Sequence, residues 1–143
     1  MRIEEILARK ARPDVVTIGP GESVRTLLSV LAAHAIGACV VSSDGHRVDG
    51  IVSERDVVRR LYDDEGLLDA EVGSIMTPAV ETCSPDATVE EIMTLMTRRR
   101  IRHVPVVADG ALTGIVSIGD LVKHRIEELA FERDQLERYV HQV

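Results

Sequence analysis

Short apolar runs and amphipathic stretches follow one another along this chain in a fixed order, and the order occurs twice. Val15-Val16-Thr17-Ile18 reads as a short strand ended by Gly19-Pro20-Gly21. Ser23 then caps a helix whose apolar positions Val24, Leu27, Leu28 and Leu31 follow the i, i+3, i+4, i+7 spacing. That helix closes near Ala35, and Ile36-Gly37-Ala38 leads into a strand at Cys39-Val40-Val41. Asp44-Gly45 is a hairpin signal, with a return strand from Val48 to Val52. A second helix starts after Ser53 and carries Val57, Val58 and Leu61. The pattern predicts a β-α-β-β-α unit. Ahead of it, Ile3 and Ile6-Leu7 mark an amphipathic turn or two, stopped by Arg12-Pro13-Asp14.

The second copy lies 65 residues further on, and 64 after a one-residue deletion beyond Gly110. Val15 to Pro20 aligns with Val80 to Pro85, Ser23-Val24 with Thr88-Val89, Leu27-Leu28 with Ile92-Met93, and Ile36 with Ile101. Thr88 and Glu91 have capping-box spacing, and Ile92, Met93 and Met96 give the helix its apolar face. Val104 to Val107 and Gly114 to Val116 form a strand pair around Asp109-Gly110, with Pro105 placed at a strand start or an edge because it cannot donate to a ladder. Tyr62 to Gly73 reads as a polar, acidic connector broken at Gly66 and Gly73. A repeat of this length defines the architecture before any other feature does.

The end of the chain departs from the repeat. From Leu121 onward it reads as one helix without Gly or Pro, its apolar positions Val122, Ile126, Leu129, Leu136 and Val140 at alternating three- and four-residue steps. Arg133 interrupts that stripe. Packing back on its own domain and pairing with a partner both fit it.

With 143 residues, 45% of them hydrophobic, the chain can bury one ordinary core or two small ones. Its 29% charged residues and short apolar runs argue against a membrane protein, and the acidic N-terminus against a signal peptide. The net charge of −7 opposes phosphate-backbone binding, and one Phe, two Tyr and no Trp make base stacking scarce, so no nucleic acid is expected. Cys39 and Cys83 have no CxxC partner and no histidine at zinc spacing; they fit a reducing cytoplasm and no metal site.

The chemistry concentrates where each unit passes from strand to helix: Gly50-Ile51-Val52-Ser53-Glu54-Arg55-Asp56 and Gly114-Ile115-Val116-Ser117-Ile118-Gly119-Asp120. A Ser N-cap with a carboxylate three residues on satisfies orphan backbone N–H groups. The same parts also suit a ribose and phosphate, since an Asp can accept from both ribose hydroxyls while the helix N-terminus favours an anion. There is no GxGxxG and no GxxxxGK[ST]. A nucleophilic reading would pair Ser53 or Ser117 with His34, His46, His103 or His124, but no GxSxG elbow accompanies either serine. No catalytic activity and no required cofactor are expected.

Two such units, each with Asp-Gly before Gly-Ile-Val-Ser-x-x-Asp, resemble a tandem pair of CBS domains, the Bateman module. The resemblance covers roughly residues 8–126: repeat one at 8–62, a connector at 63–74 and repeat two at 75–126, with 127–143 a helical extension. It implies a mixed α/β (α+β) fold with pseudo-two-fold packing and a long C-terminal helix. It further implies a regulatory sensor of adenosine-containing ligands (AMP, ADP, ATP, sometimes NAD(H) or S-adenosylmethionine), commonly a homodimer, signalling to an effector protein. A ligand-free oligomerisation adaptor is the alternative.

Carried over by position, one cleft would join Val16, Thr17, Ile36, Gly37 and Ala38 to Ser117 and Asp120. The other would join Glu81, Ile101, Arg102 and His103 to Ser53 and Asp56, with Arg55 reaching a phosphate. The resemblance makes the clefts unequal: Gly119 stands where the first copy has Arg55, and Gly37-Ala38 where the second has Arg102-His103. Arg98 to Arg100 read as a solvated helix end, where cations favour the helix dipole.

Overall fold

The computed structural model describes residues 1–10 and 15–142; the stop expected at Arg12-Pro13-Asp14 lies outside them. Its order is α1 (Ile3–Ala8), β1 (Thr17–Ile18), α2 (Val24–His34), β2 (Ala38–Val41), β3 (Gly50–Ser53), α3 (Glu54–Leu61), α4 (Val89–Arg99), β4 (His103–Ala108), β5 (Ala111–Ser117) and α5 (Ile118–His141). The β-α-β-β-α order is plain in repeat one, where β1 runs parallel to β2 and β2 antiparallel to β3. In repeat two the antiparallel β4–β5 pair is longer, and the first strand shrinks to a single parallel bridge, Cys83 to Val106.

Pro105 explains that reduction. It is the third residue of β4, not its start, and its carbonyl accepts from the Cys83 N–H at 3.0 Å. Its nitrogen faces the same side and has no hydrogen to continue the ladder. Val40, at the equivalent place in repeat one, pairs with Thr17.

Turn chemistry also differs between the copies. Asp109 (φ 53°) and Gly110 (φ 77°) form a two-residue hairpin closed by the Ala108–Ala111 pair. Asp44-Gly45 does not; it opens an eight-residue loop between Val41 and Gly50, in which Asp44 Oδ1 accepts from the His46 and Arg47 N–H groups at 2.8 Å each. The return strand therefore starts at Gly50 rather than Val48.

Each repeat has its own core. Ile18, Val24, Leu27, Leu31, Cys39, Val41, Val52 and Val57 pack together in repeat one. Val89, Ile92, Met96, Val104, Val106, Val116 and Leu121 do so in repeat two. The segments ahead of the repeats are exchanged between these cores. Ile3 and Ile6 of α1 belong to the core of repeat two, and Val72 and Ile75, which precede repeat two, belong to the core of repeat one. The exchange is symmetric down to single bonds: Ile3 N donates to Ala87 O at 2.9 Å, and Val72 N to Glu22 O at 2.8 Å. Glu4 N donates to Pro85 O at 3.0 Å, and Gly73 N to Pro20 O at 2.9 Å. The stretch expected to be a polar connector thus contributes buried Leu67 and Val72.

Close approaches finish the pattern. A Cβ at Gly50 would lie 2.5 Å from Met76 Sδ, and one at Gly114 would lie 2.7 Å from Leu7 Cδ2. β3 therefore needs Gly50 where the exchanged segment crosses it, since the Thr77 carbonyl would also lie 3.0 Å from that Cβ, whereas at Gly114 the Leu7 side chain would have to swing aside. No helix among the described residues is long and apolar enough to cross a membrane.

Candidate ligand-binding clefts

Both strand-to-helix corners form the same local structure. Ser53 caps α3: its Oγ accepts from Asp56 N at 3.3 Å, while Asp56 Oδ2 accepts from Ser53 N at 2.8 Å. Ser117 caps α5 likewise, with 3.1 Å from Asp120 N to its Oγ and 2.9 Å from its own N to Asp120 Oδ2. The Ser-x-x-Asp pairs are therefore capping boxes. Each uses one carboxylate oxygen for the cap and leaves the other aspartate oxygen available to a ligand.

A cavity of about 660 Å³ opens beside the first corner, within the usual range for small-molecule sites of roughly 300–1,000 Å³. Repeat one supplies Ser53, Arg55, Asp56 and Arg59, and repeat two supplies Glu81, Arg100, Ile101, Arg102 and His103. Thr77, Ala79 and Val80 close it from the segment that pairs with Ile51. Gly37 and Ala38, which the alignment assigned to the other cleft, also line this one, because Ala38 is paired with Ser53 across β2–β3.

Charge is uneven around this cavity. Arg55, Arg59, Arg100 and Arg102 have no ion-pair partner among the described residues, whereas Glu81 Oε1 lies 3.4 Å from Arg99 Nε. Set against the three carboxylates of the lining, half-buried Asp56 and Glu81 and exposed Glu54, these four guanidiniums without an ion-pair partner among the described residues leave a positive excess that suits a ligand with both hydroxyls and phosphate. Burial holds His103 below the ordinary histidine range; Lys10 and Arg102 push the same way, while Asp120 and Glu54 oppose them. The ring is therefore neutral near pH 7, able to donate one hydrogen bond.

The second corner is occupied from within. Lys10 Nζ lies 3.0 Å from Asp120 Oδ2 and 2.9 Å from Ile115 O. Burial alone would raise the Asp120 carboxyl, but the Ser117 N–H and the Lys10 ammonium outweigh it and hold the carboxyl below its ordinary range. Val16 and Ile36 pack half-buried against the core of repeat one, and Thr17 pairs with Val40. Among the described residues no hydrogen bond or ion pair joins these three to Ser117 or Asp120.

Arg59, Thr77 and Lys10 had no role assigned from the sequence, and Arg100 was expected only at a solvated helix end. Arg59 was accessible, since it shares a helix face with Arg55 four residues earlier. Arg100 ends α4 in the left-handed conformation at φ 57°, which turns the chain into the cavity. Lys10 gave no signal, because its partner is 110 residues away.

The thiols of Cys39 and Cys83 are each pushed up to about 11 by burial, which makes them poor nucleophiles. No group of three or more His, Cys, Asp or Glu among the described residues could hold a metal ion.

Comparison with known proteins places these corners in context. The CBS-domain family model matches residues 3–63 and 72–127. The chain is 35% identical over 124 residues to the mitochondrial CBS domain-containing protein CBSX3 of Arabidopsis thaliana, a match covering 83% of this chain and 60% of that protein's length. It superposes on the CBS-domain containing protein ATU1752 from Agrobacterium tumefaciens with a TM-score of 0.82 at 42% identity, covering 87% of this chain and 99% of that one. The CBS domain pair of MJ0100, solved in complex with 5′-methylthioadenosine and S-adenosyl-L-methionine, superposes with a TM-score of 0.78 at 22% identity over 90% of this chain and 98% of that one. With two matched repeats, exchanged flanking segments and a Ser-x-x-Asp corner in each, the chain belongs to the CBS-domain family and carries a CBS pair.

Proposed function

We propose that this CBS pair is a non-catalytic sensor whose first cleft, built on Ser53 and Asp56, binds an adenosine ligand bearing phosphate: AMP, ADP or ATP. The observation that carries the reading is the cavity of about 660 Å³ holding Asp56 together with four arginines that have no ion-pair partner among the described residues. Asp56 would accept from the ribose hydroxyls, Ser53 would keep that carboxylate in place, and Arg55, Arg59, Arg100 and Arg102 would meet the phosphates. Ile51, Ala79, Val80 and Ile101 offer apolar walls to a base. The occupied MJ0100 pair supports the class of ligand through the shared fold. Its ligands, a thioether and a sulfonium of adenosine, lack phosphate, and the arginines favour nucleotides here.

Calorimetric titration with AMP, ADP, ATP, NADH and S-adenosylmethionine tests this. Saturable micromolar binding of a phosphorylated member is the expected result. Flat traces for all five, from folded protein free of co-purified nucleotide, would replace the sensor with a ligand-free adaptor.

The messenger would be a dimer acting on an effector protein in the cytoplasm. Val58, Leu61 and Tyr62 on and just after α3, and Val122, Ile126, Leu129, Leu136 and Val140 on α5, are exposed. Residues 131–142 are exposed throughout, and a helix end without packing is marginal in water. Antiparallel pairing of α5 with a second copy would set Val122 against Val140, Ile126 against Leu136 and Lys123 near Glu137. A parallel pair would set Arg133 against itself, so the antiparallel form is favoured. Sedimentation should give a dimer that Leu136→Glu converts to monomer; a monomeric parent would exclude it.

A further inference from the structure

The two corners share a cap but not a neighbour. Counting by the exchanged segments, with an offset of 69, Thr77 corresponds to Ala8 and Ala79 to Lys10. After repeat one the chain lies alongside β3, and Thr77 N donates to Ile51 O at 2.8 Å. At the N-terminus the chain is still helical at Ala8, and among the described residues no backbone N–H reaches the matching carbonyl of Ile115. The Lys10 ammonium takes that acceptor at 2.9 Å, and this anchors it 3.0 Å from Asp120.

We infer that Lys10 is an internal occupant of the second ribose site and is the residue that makes the two clefts unequal. A ribose binds such an aspartate by donating two hydroxyl protons to it. At Asp120 the ammonium already stands at Oδ2, beside the cap bond from Ser117 N. At Asp56 the carboxylate meets only Ser53 N and Ser53 Oγ among the described residues. Ala79, in the position matching Lys10, lines the open cavity and has nothing to extend toward Asp56. The ammonium is too near the carboxylate to serve as a phosphate contact, because the 5′-phosphate of a nucleotide lies at the far end of the sugar from its 2′- and 3′-hydroxyls. Asp120 Oδ1 has no partner among the described residues, but a ribose that uses both carboxylate oxygens would have to displace Lys10 from Oδ2 and leave the Ile115 carbonyl to find another donor. The inference rests on the ribose reading of the Ser-x-x-Asp corners.

The test isolates the second cleft in the full chain. Asp56→Ala and Asp56→Ala/Lys10→Met are titrated calorimetrically with adenosine and with AMP. Removing a partly exposed ion pair that competes with the ligand should tighten binding to the double variant about fivefold or more. In the otherwise unaltered chain, Lys10→Met should raise the number of adenosine sites from one to two, which serves if the Asp56 background folds poorly. Unchanged or weaker binding on removing Lys10, with the parent still binding through Asp56, would overturn the inference and leave the sensor reading intact. Absence of binding in the parent and every variant would overturn both.

Discussion

Repeat one and repeat two enter their second helices through nearly superimposable corners, yet face their clefts in different states. The serine N–H meets the aspartate at 2.8 Å in one and 2.9 Å in the other. Around Asp56 the rest of the chain has gathered arginines without an ion-pair partner among the described residues, and open volume; around Asp120 it has brought a lysine. The motif is local, and what surrounds it is set by segments far away in sequence. Duplication can therefore copy a site's frame while the exchanged segments decide whether the copy is open.

The sharpest way to break that comparison is at the aspartates. Asp56→Ala should weaken AMP binding about tenfold or more, since hydrogen bonds to a charged acceptor contribute roughly 1.5–3 kcal/mol. Asp120→Ala should leave AMP affinity at the first cleft unchanged. Calorimetry on both, with thermal melts to account for a lost cap costing about 1 kcal/mol, checks it; equal losses would mean the corners act alike.

The glycines sharpen the structural side. At Gly50 an added methyl would meet Met76 Sδ at 2.5 Å and also the Thr77 carbonyl at 3.0 Å, a backbone atom that cannot swing aside. At Gly114 it would meet only the end of the Leu7 side chain. Gly50→Ala should cost about 1–3 kcal/mol by denaturant unfolding and Gly114→Ala less than about 1 kcal/mol. The reverse order would contradict the account of the exchanged segments.

Arginine removal should separate phosphate from sugar. Arg55→Ala and Arg102→Ala should each lower ATP affinity about three- to tenfold while adenosine affinity stays within about twofold, as expected for partly solvated charge-assisted bonds. Equal losses for both ligands would place these side chains on the base or ribose instead.

The smallest effect is a proton. His103 sits below the ordinary value of about 6.5 because it is buried. The unfolded chain then takes up its proton first, so this stabilising contribution is complete above pH 6.5 and is lost as pH falls through the folded value. A phosphate in the first cleft would draw the proton on. AMP affinity should therefore rise by less than about tenfold between pH 7.5 and 6, and His103→Gln should flatten the rise.

Much of the fold was legible because its signals are local. Ser23, Ser53, Thr88 and Ser117 all cap where spacing placed them. Helical periodicity located Val24, Leu27 and Leu31 in a core. Periodicity did not distinguish a core face from an interface: Val58 and Leu61 share the apolar spacing of Val57, yet Val58 is 69% exposed and Val57 only 4%. Exchange of Ile3 and Val72 between repeats was equally hidden, since it depends on which sheet a flanking segment reaches. In the candidate site, alignment alone grouped Glu81, Ile101, Arg102 and His103 with Ser53 and Asp56, all of which line one cavity. It did not anticipate that Gly37 and Ala38 also line this cavity and passed over Lys10, because strand pairing and a 110-residue ion pair have no periodic signature.

The most direct test of the central claim is a crystal structure of the chain grown with AMP. Nucleotide with its ribose on Asp56, its phosphate among Arg55, Arg59, Arg100 and Arg102, and Lys10 still on Asp120 is the predicted result. Nucleotide seated on Asp120 with the Asp56 cavity empty would contradict it.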